Sequence, residues 1–136
     1  MSRGFGAFGK LVLEDEETVI YEYGGFNVNE SAYRNENHVY DGLIVISRHC
    51  FVEPEIHKKL KKMPSGRKKL IIKRIPVEVN YAQMLRDGHI VIENCSNCWH
   101  CTPNNYVDVM ALHLVYELFR RYQEDGKLPT LIGYAV

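Results

Sequence analysis

The stretch "GKLVLEDEETVIYEYGGF", residues 9–26, sets the architecture: two apolar runs with four acids between them. Lys10–Leu13 and Thr18–Tyr23 are rich in β-branched and aromatic residues and read as strands. Glu14, Asp15, Glu16 and Glu17 repel one another and belong in water, so they form the turn of a β-hairpin. Gly24-Gly25 predicts an end or a bulge in the second strand.

Residues 27–42 follow as a polar, Asn-rich loop, long enough to hold a helical turn. "LIVIS", Leu43–Ser47, is a strand, and its unbroken apolar start predicts burial on both faces. "EPEIHKKLKKM", residues 53–63, is expected to begin a short helix, with Pro54 near its first turn, acids early and bases late. Pro64-Ser65-Gly66 breaks it. Lys69–Ile75 is the next strand, ended by Pro76. "NYAQMLRDG" is a turn or a short helix, and His89–Asn94 a strand.

The clearest helix comes last. Thr102 is its expected N-cap, with Pro103 at the first helical position. Val107, Met110, Ala111, Leu114, Val115, Leu118 and Tyr122 form an apolar stripe at helical spacing. Asp125-Gly126 and Pro129 stop it. About 20 residues make a helix roughly 30 Å long. "TLIGYAV" closes the chain as a strand.

The expected order is therefore β, β, β, α, β, β, α, β. It predicts an α+β fold: a mixed, largely antiparallel sheet of about five or six strands, a long C-terminal helix packed on one face, and a short middle helix. With 136 residues, the chain is expected to form one domain over residues 1–136. Apolar and charged residues make up 46% and 25%, ordinary globular usage that argues against disorder. No apolar run approaches the roughly 20 residues of a membrane-spanning helix. "MSRGFGAFGK" at the N-terminus lacks the apolar region of a signal peptide, so the expectation is a cytoplasmic protein with reduced thiols.

The net charge is zero, but the charges are segregated. Residues 1–56 hold ten acids and four bases, whereas residues 57–74 hold nine bases and no acid. Such polarity steers partners. One candidate contact region is acidic and tyrosine-rich: Glu14, Asp15, Glu16, Glu17, Tyr21, Tyr23, Tyr33 and Tyr40. Tyrosine among Asn and Ser supplies rigid contact area with adaptable hydrogen bonds, as at many protein-binding surfaces. The other is basic: Lys58, Lys61, Lys62, Arg67, Lys68 and Lys69. Nine bases in this segment also suit phosphates, so nucleic-acid binding through residues 58–74 is an alternative. Overall neutrality and the absence of an RNP-type aromatic motif speak against it.

"ENCSNCWHCTP", residues 93–103, holds Cys95, Cys98 and Cys101 in C-x-x-C-x-x-C spacing. Two residues between thiolates let both sulfurs face one ion, so a small zinc or iron–sulfur protein is the second reading, with Cys50 or a histidine as fourth ligand. The ferredoxin-type pattern needs a further cysteine at position 105, where this chain has Asn105. Packed cysteines at a strand-to-helix corner explain the same residues without a cofactor. Cys101, next to the expected helix N-terminus, is the thiol best placed for redox chemistry.

No G-x-S-x-G, Walker A or H-E-x-x-H motif occurs. His49 and Cys50, if on a strand, point to opposite faces and cannot act as a base–nucleophile pair. The chain is thus expected to be a non-catalytic protein-binding module. In general character it resembles the small cytoplasmic immunity and antitoxin proteins of bacteria. That resemblance implies one protein partner, a toxin or another effector; no cofactor is expected unless the cysteines hold zinc.

Overall fold

The computed structural model describes residues 3–103 and 106–136. The first hairpin forms as its sequence dictates, with longer strands than the apolar runs alone suggest: β1 is Phe5–Glu14 and β2 is Thr18–Asn27. The glycine-rich "RGFGAFG" is therefore the start of a strand. At the turn, Asp15 Oδ1 accepts from the Glu17 and Thr18 amides at 2.9 and 2.7 Å. These amide hydrogen bonds hold the Asp15 carboxyl below its usual range. β2 runs straight through Gly24-Gly25, and the register shift lies instead between Leu11 and Leu13. The glycines are needed for close approach, since a Cβ on Gly24 would fall 2.0 Å from the Val39 carbonyl oxygen.

β3 (Gly42–Ser47) pairs with β2, and the short β6 (Ile90–Glu93) pairs with β3. The terminal β7 (Leu131–Ala135) pairs with β1. The result is a five-stranded sheet of order β6-β3-β2-β1-β7, with every pairing antiparallel. A short helix, α1 (Tyr81–Arg86), precedes β6 and is capped by Asn80.

The long helix α2 is Val109–Asp125. It starts later than the Thr102-Pro103 signature predicts. Thr102 Oγ1 accepts from the Val107 amide, and the backbone of Cys101 pairs with that of Asp108. Asp108 is the true N-cap, its Oδ1 accepting from the Met110 amide at 3.0 Å. Asn104 and Asn105, which the longer predicted helix included, lie outside the described residues. At the other end Gly126 adopts φ 75° and caps the helix, as Asp125-Gly126 predicts.

The stripe Met110, Ala111, Leu114, Val115, Leu118, Phe119 and Tyr122 is buried against one face of the sheet. Val19, Tyr21, Tyr23, Ile44, Ile46, Ile90 and Ile132 meet it from the strands. The other face is half-covered. The Asn-rich loop folds back so that Tyr40 and His38 lie on Phe8, with ring centroids 4.7 and 5.6 Å away, and Phe8 stacks on Phe26. On β3, Ile44 and Ile46 are therefore fully buried while Leu43 and Val45 are only half-buried. Full two-sided burial of this strand does not occur, because the loop covers only part of the second face.

One predicted element is of the wrong type. Residues 53–63 do not form a helix: β4 (Glu55–Lys62) pairs with β5 (Lys68–Ile75) in a separate two-stranded antiparallel sheet. In a helix, Lys58 and Lys62 would repel at i,i+4 spacing. In a strand, Ile56, Lys58, Leu60 and Lys62 fall on one face at period two. The matching run "KKLIIKRI" supplies the ladder. The fold class remains α+β, but the short middle helix expected at residues 53–63 is replaced by β4, and the short helix present is α1, in the stretch that reads as a turn or a short helix.

Candidate functional site

The β4–β5 hairpin stands away from the main sheet as an arm. Every residue of β4 is exposed, and so is β5 as far as Lys73. Eight residues per strand give the arm a length of about 26 Å. Its tip turns at Met63–Arg67, where the Met63 amide donates to the Arg67 carbonyl at 2.7 Å and Gly66 takes φ 83°.

The register assigns each side chain to a face. Leu60 lies opposite Leu70, Lys58 opposite Ile72 and Ile56 opposite Arg74. One face thus carries Ile56, Leu60, Leu70 and Ile72, which are 47–63% exposed, with Lys58, Lys62, Lys68 and Arg74 around them. The other face carries His57, Lys59, Lys61, Lys69 and Lys73 beside Ile71 and Ile75. Near the tip, Lys61 lies directly opposite Lys69, and Lys62 opposite Lys68. Like charges in cross-strand register are destabilising. A lone two-stranded hairpin is marginal in water even without that repulsion.

The arm is held at its root by α2. Arg74 Nε donates to the Gln123 carbonyl at 2.8 Å, using an oxygen from the helix's last turn. The buried Gln123 side chain binds both strands' flanks. Its Oε1 accepts from the Val77 amide at 3.1 Å, and its Nε2 donates to the carbonyls of Val52 and Val77 at 3.4 and 3.3 Å. Tyr122 donates to Glu53 Oε1 at 2.5 Å, and Glu53 lies 3.9 Å from the Arg74 guanidinium. Beside this root is a cleft of about 450 Å³ lined by Pro76, Val77, Tyr81, Tyr116, Arg120 and Gln123. Gln123 is the residue that sequence reading missed. A polar residue beside the stripe residue Tyr122 gives no signal until the chain on both sides of the arm is brought to it.

The acidic, tyrosine-rich candidate is taken apart by the fold. Tyr21 and Tyr23 are core residues, at 1% and 0% exposure, so they are unavailable to a partner. Alternation on β2 turns them toward α2, where their hydroxyls bond internally: Tyr21 to the Pro129 carbonyl, Tyr23 to Asp108. Tyr40 packs on Phe8, and Tyr33 is half-buried in a 3-10 turn. Glu14 pairs with Arg48, and Asp15 caps its own turn, which leaves Glu16 and Glu17 as exposed acids at the hairpin turn.

The cysteines do not converge either. Cys98 and Cys101 meet, with 2.6 Å between sulfurs. Cys95 is buried and turns instead to Asp108 Oδ2, 3.5 Å from its sulfur. Burial and the adjacent carboxylate push its thiol up to about 11. Burial raises the Cys98 thiol as well. Cys50 follows β3, whereas Cys95 follows the antiparallel β6, so the two sit at opposite ends of that pair and Cys50 cannot complete a cluster. Among the described residues, no group of three or more His, Cys, Asp or Glu side chains is arranged to hold a metal ion. His49 and Cys50 lie beyond β3 in a 3-10 turn, so strand alternation does not apply to them.

Among the described residues, no helix is long and apolar enough to cross a membrane. Comparisons with protein-family models, with curated proteins and with solved structures find no match.

Proposed function

We propose that this protein is a non-catalytic binding module whose β4–β5 arm docks one acidic protein partner. The observation that carries the reading is the arm itself. Two Lys–Lys pairs are held in direct register on a hairpin with no acid between residues 57 and 74, next to an exposed apolar row. An anionic partner relieves the repulsion. A partner with an apolar centre also covers Ile56, Leu60, Leu70 and Ile72, the arrangement of an apolar interface core within a polar rim. The arm has no Phe, Tyr or Trp on which a base could stack, which favours protein over single-stranded nucleic acid.

The test is lysine-directed cross-linking in a native, low-salt extract of the cells that make the protein. The expected product joins Lys58–Lys69 to an acid-rich segment of a single protein, dissociates at high salt, and disappears in both Leu60→Ser/Ile72→Ser and Lys61→Gln/Lys68→Gln. Retention of nuclease-sensitive nucleic acid alone, or a product unchanged by both variants, overturns the reading.

A further inference from the structure

We infer that Cys98 and Cys101 form a dithiol site that closes reversibly to a disulfide, with a small-molecule disulfide of the glutathione type as its oxidant. The sulfurs lie 2.6 Å apart, well inside non-bonded contact, and a disulfide needs about 2.05 Å. Closure therefore asks for a movement of roughly half an ångström.

The approach is built into the surrounding fold. The Cys98 amide donates to the Cys95 carbonyl at 3.3 Å. The backbone of Cys101 is bridged to Asp108, flanked by the hydrogen bonds Val109 to His100 at 2.9 Å and Thr102 to Val107 at 2.8 Å. Trp99, between the two cysteines, packs edge-on against Phe5 with centroids 5.1 Å apart. Both ends of the C-x-x-C segment and its middle are thus pinned, and the two side chains face each other without a change of backbone. Both cysteines are partly exposed, so a small oxidant reaches them, whereas Cys50 and Cys95 are buried.

The exchange takes two steps. Cys101, toward whose sulfur the Asn94 amide group points at 4.0 Å, loses its proton to solvent and attacks one sulfur of the oxidant. The oxidant's S–S bond breaks, one thiolate leaves and takes up a proton, and a mixed disulfide stands on Cys101. Cys98 then loses its proton and attacks the Cys101 sulfur, expelling the second small thiol. The protein gives up two electrons and two protons, and the oxidant takes both up as two thiols.

The test equilibrates the full chain in glutathione buffers of graded redox ratio, traps free thiols by alkylation and measures mass and zinc content. The expected result is one two-electron transition in which Cys98 and Cys101 lose alkylation together and the chain loses two hydrogens. Trp99, the single tryptophan, should lose fluorescence in the same transition, because a disulfide quenches an adjacent indole. Cys98→Ser and Cys101→Ser should each hold a glutathione adduct instead. Wild-type mass alone keeps the test decisive should a variant fail to fold. Two independent adducts on the wild-type chain, full alkylation in the most oxidising buffer, or zinc that protects the thiols would each overturn the inference.

Discussion

The Tyr23 hydroxyl donates to Asp108 Oδ2 at 2.9 Å in the core, joining the central strand β2 to the first turn of α2. Around this pair the Cys95 amide donates to the Tyr23 oxygen at 3.0 Å, and Asn94 Oδ1 accepts from the Asp108 amide at 3.0 Å. One buried carboxylate thereby fixes the sheet, the cysteine segment and the helix together. Removing it should strip a cap and leave donors unpaired. Asp108→Ala is expected to cost about 2–4 kcal/mol in urea unfolding, and Tyr23→Phe about 1–3 kcal/mol. The double variant should cost less than the sum, because the two groups share one bond.

Gln123 should matter to the arm more than its place on a helix suggests. Gln123→Ala leaves the Val77 amide and two carbonyls without their partner. The expected loss is about 1–3 kcal/mol. Hydrogen exchange should speed up at Val77, and partner cross-links to the arm should weaken while the main sheet keeps its protection.

The arm's apolar row should contribute to binding and not to folding. Leu60→Ser/Ile72→Ser should leave unfolding free energy within about 0.5 kcal/mol of the parent, because both side chains are exposed. A large loss of stability would show that the row packs on the protein's own surface.

Gly42 should tolerate no side chain. A Cβ there would stand 2.3 Å from the Tyr23 ring. Gly42→Ala is expected to destabilise by about 1–3 kcal/mol by forcing that ring off its contact with Asp108. Gly66→Ala at the arm's tip meets no atom within 4 Å but must hold φ 83°, so it tests backbone strain without overpacking.

Stability should fall as pH rises above about 9, and should also fall in acid as Asp15 and Asp41, whose carboxyls are held below the usual range by hydrogen bonds, take up protons. Burial holds the Cys95 thiol up to about 11, against 9.0 for a free one, and raises Tyr21 and Tyr23 above the ordinary tyrosine range. Between those values the unfolded chain has released protons that the folded chain keeps. Unfolding is therefore favoured as pH rises, first through Cys95 together with Cys50 and Cys98, whose thiols burial also raises, and then through the tyrosines. Cys95→Ala should make the first part of the decline shallower by up to about 1.4 kcal/mol per pH unit, measured by urea unfolding from pH 8 to 11.

Much of the fold was legible from local pattern. The first hairpin, the strands around Leu43–Ser47 and His89–Asn94, the C-terminal strand and the helix with its glycine cap were each marked by period, β-branching or capping residues. The helix start was not. Thr102-Pro103 carries a strong local signature, but the buried Asp108, bonded to Tyr23, offers a cap that also satisfies the core. Neither contact site was legible as it stands. Tyr21 and Tyr23 looked like surface tyrosines because alternation says which residues share a face, not which face is covered. The basic run looked like a helix because its charges were ordered for a helix dipole, and its strand partner lies beyond a turn.

The sequence by itself determined which segments are regular, that the architecture is α+β, and that one segment carries unopposed positive charge. Those are local properties, set by side-chain shape, spacing and sign. Only the tertiary structure decided that this segment is a projecting arm with lysines in opposed register, that Gln123 holds its root, and that Cys98 and Cys101 face each other while Cys95 turns away. Each of those depends on atoms supplied by another part of the chain, and a hydrogen bond or a sulfur contact exists only once the fold has brought both partners within about 3 Å.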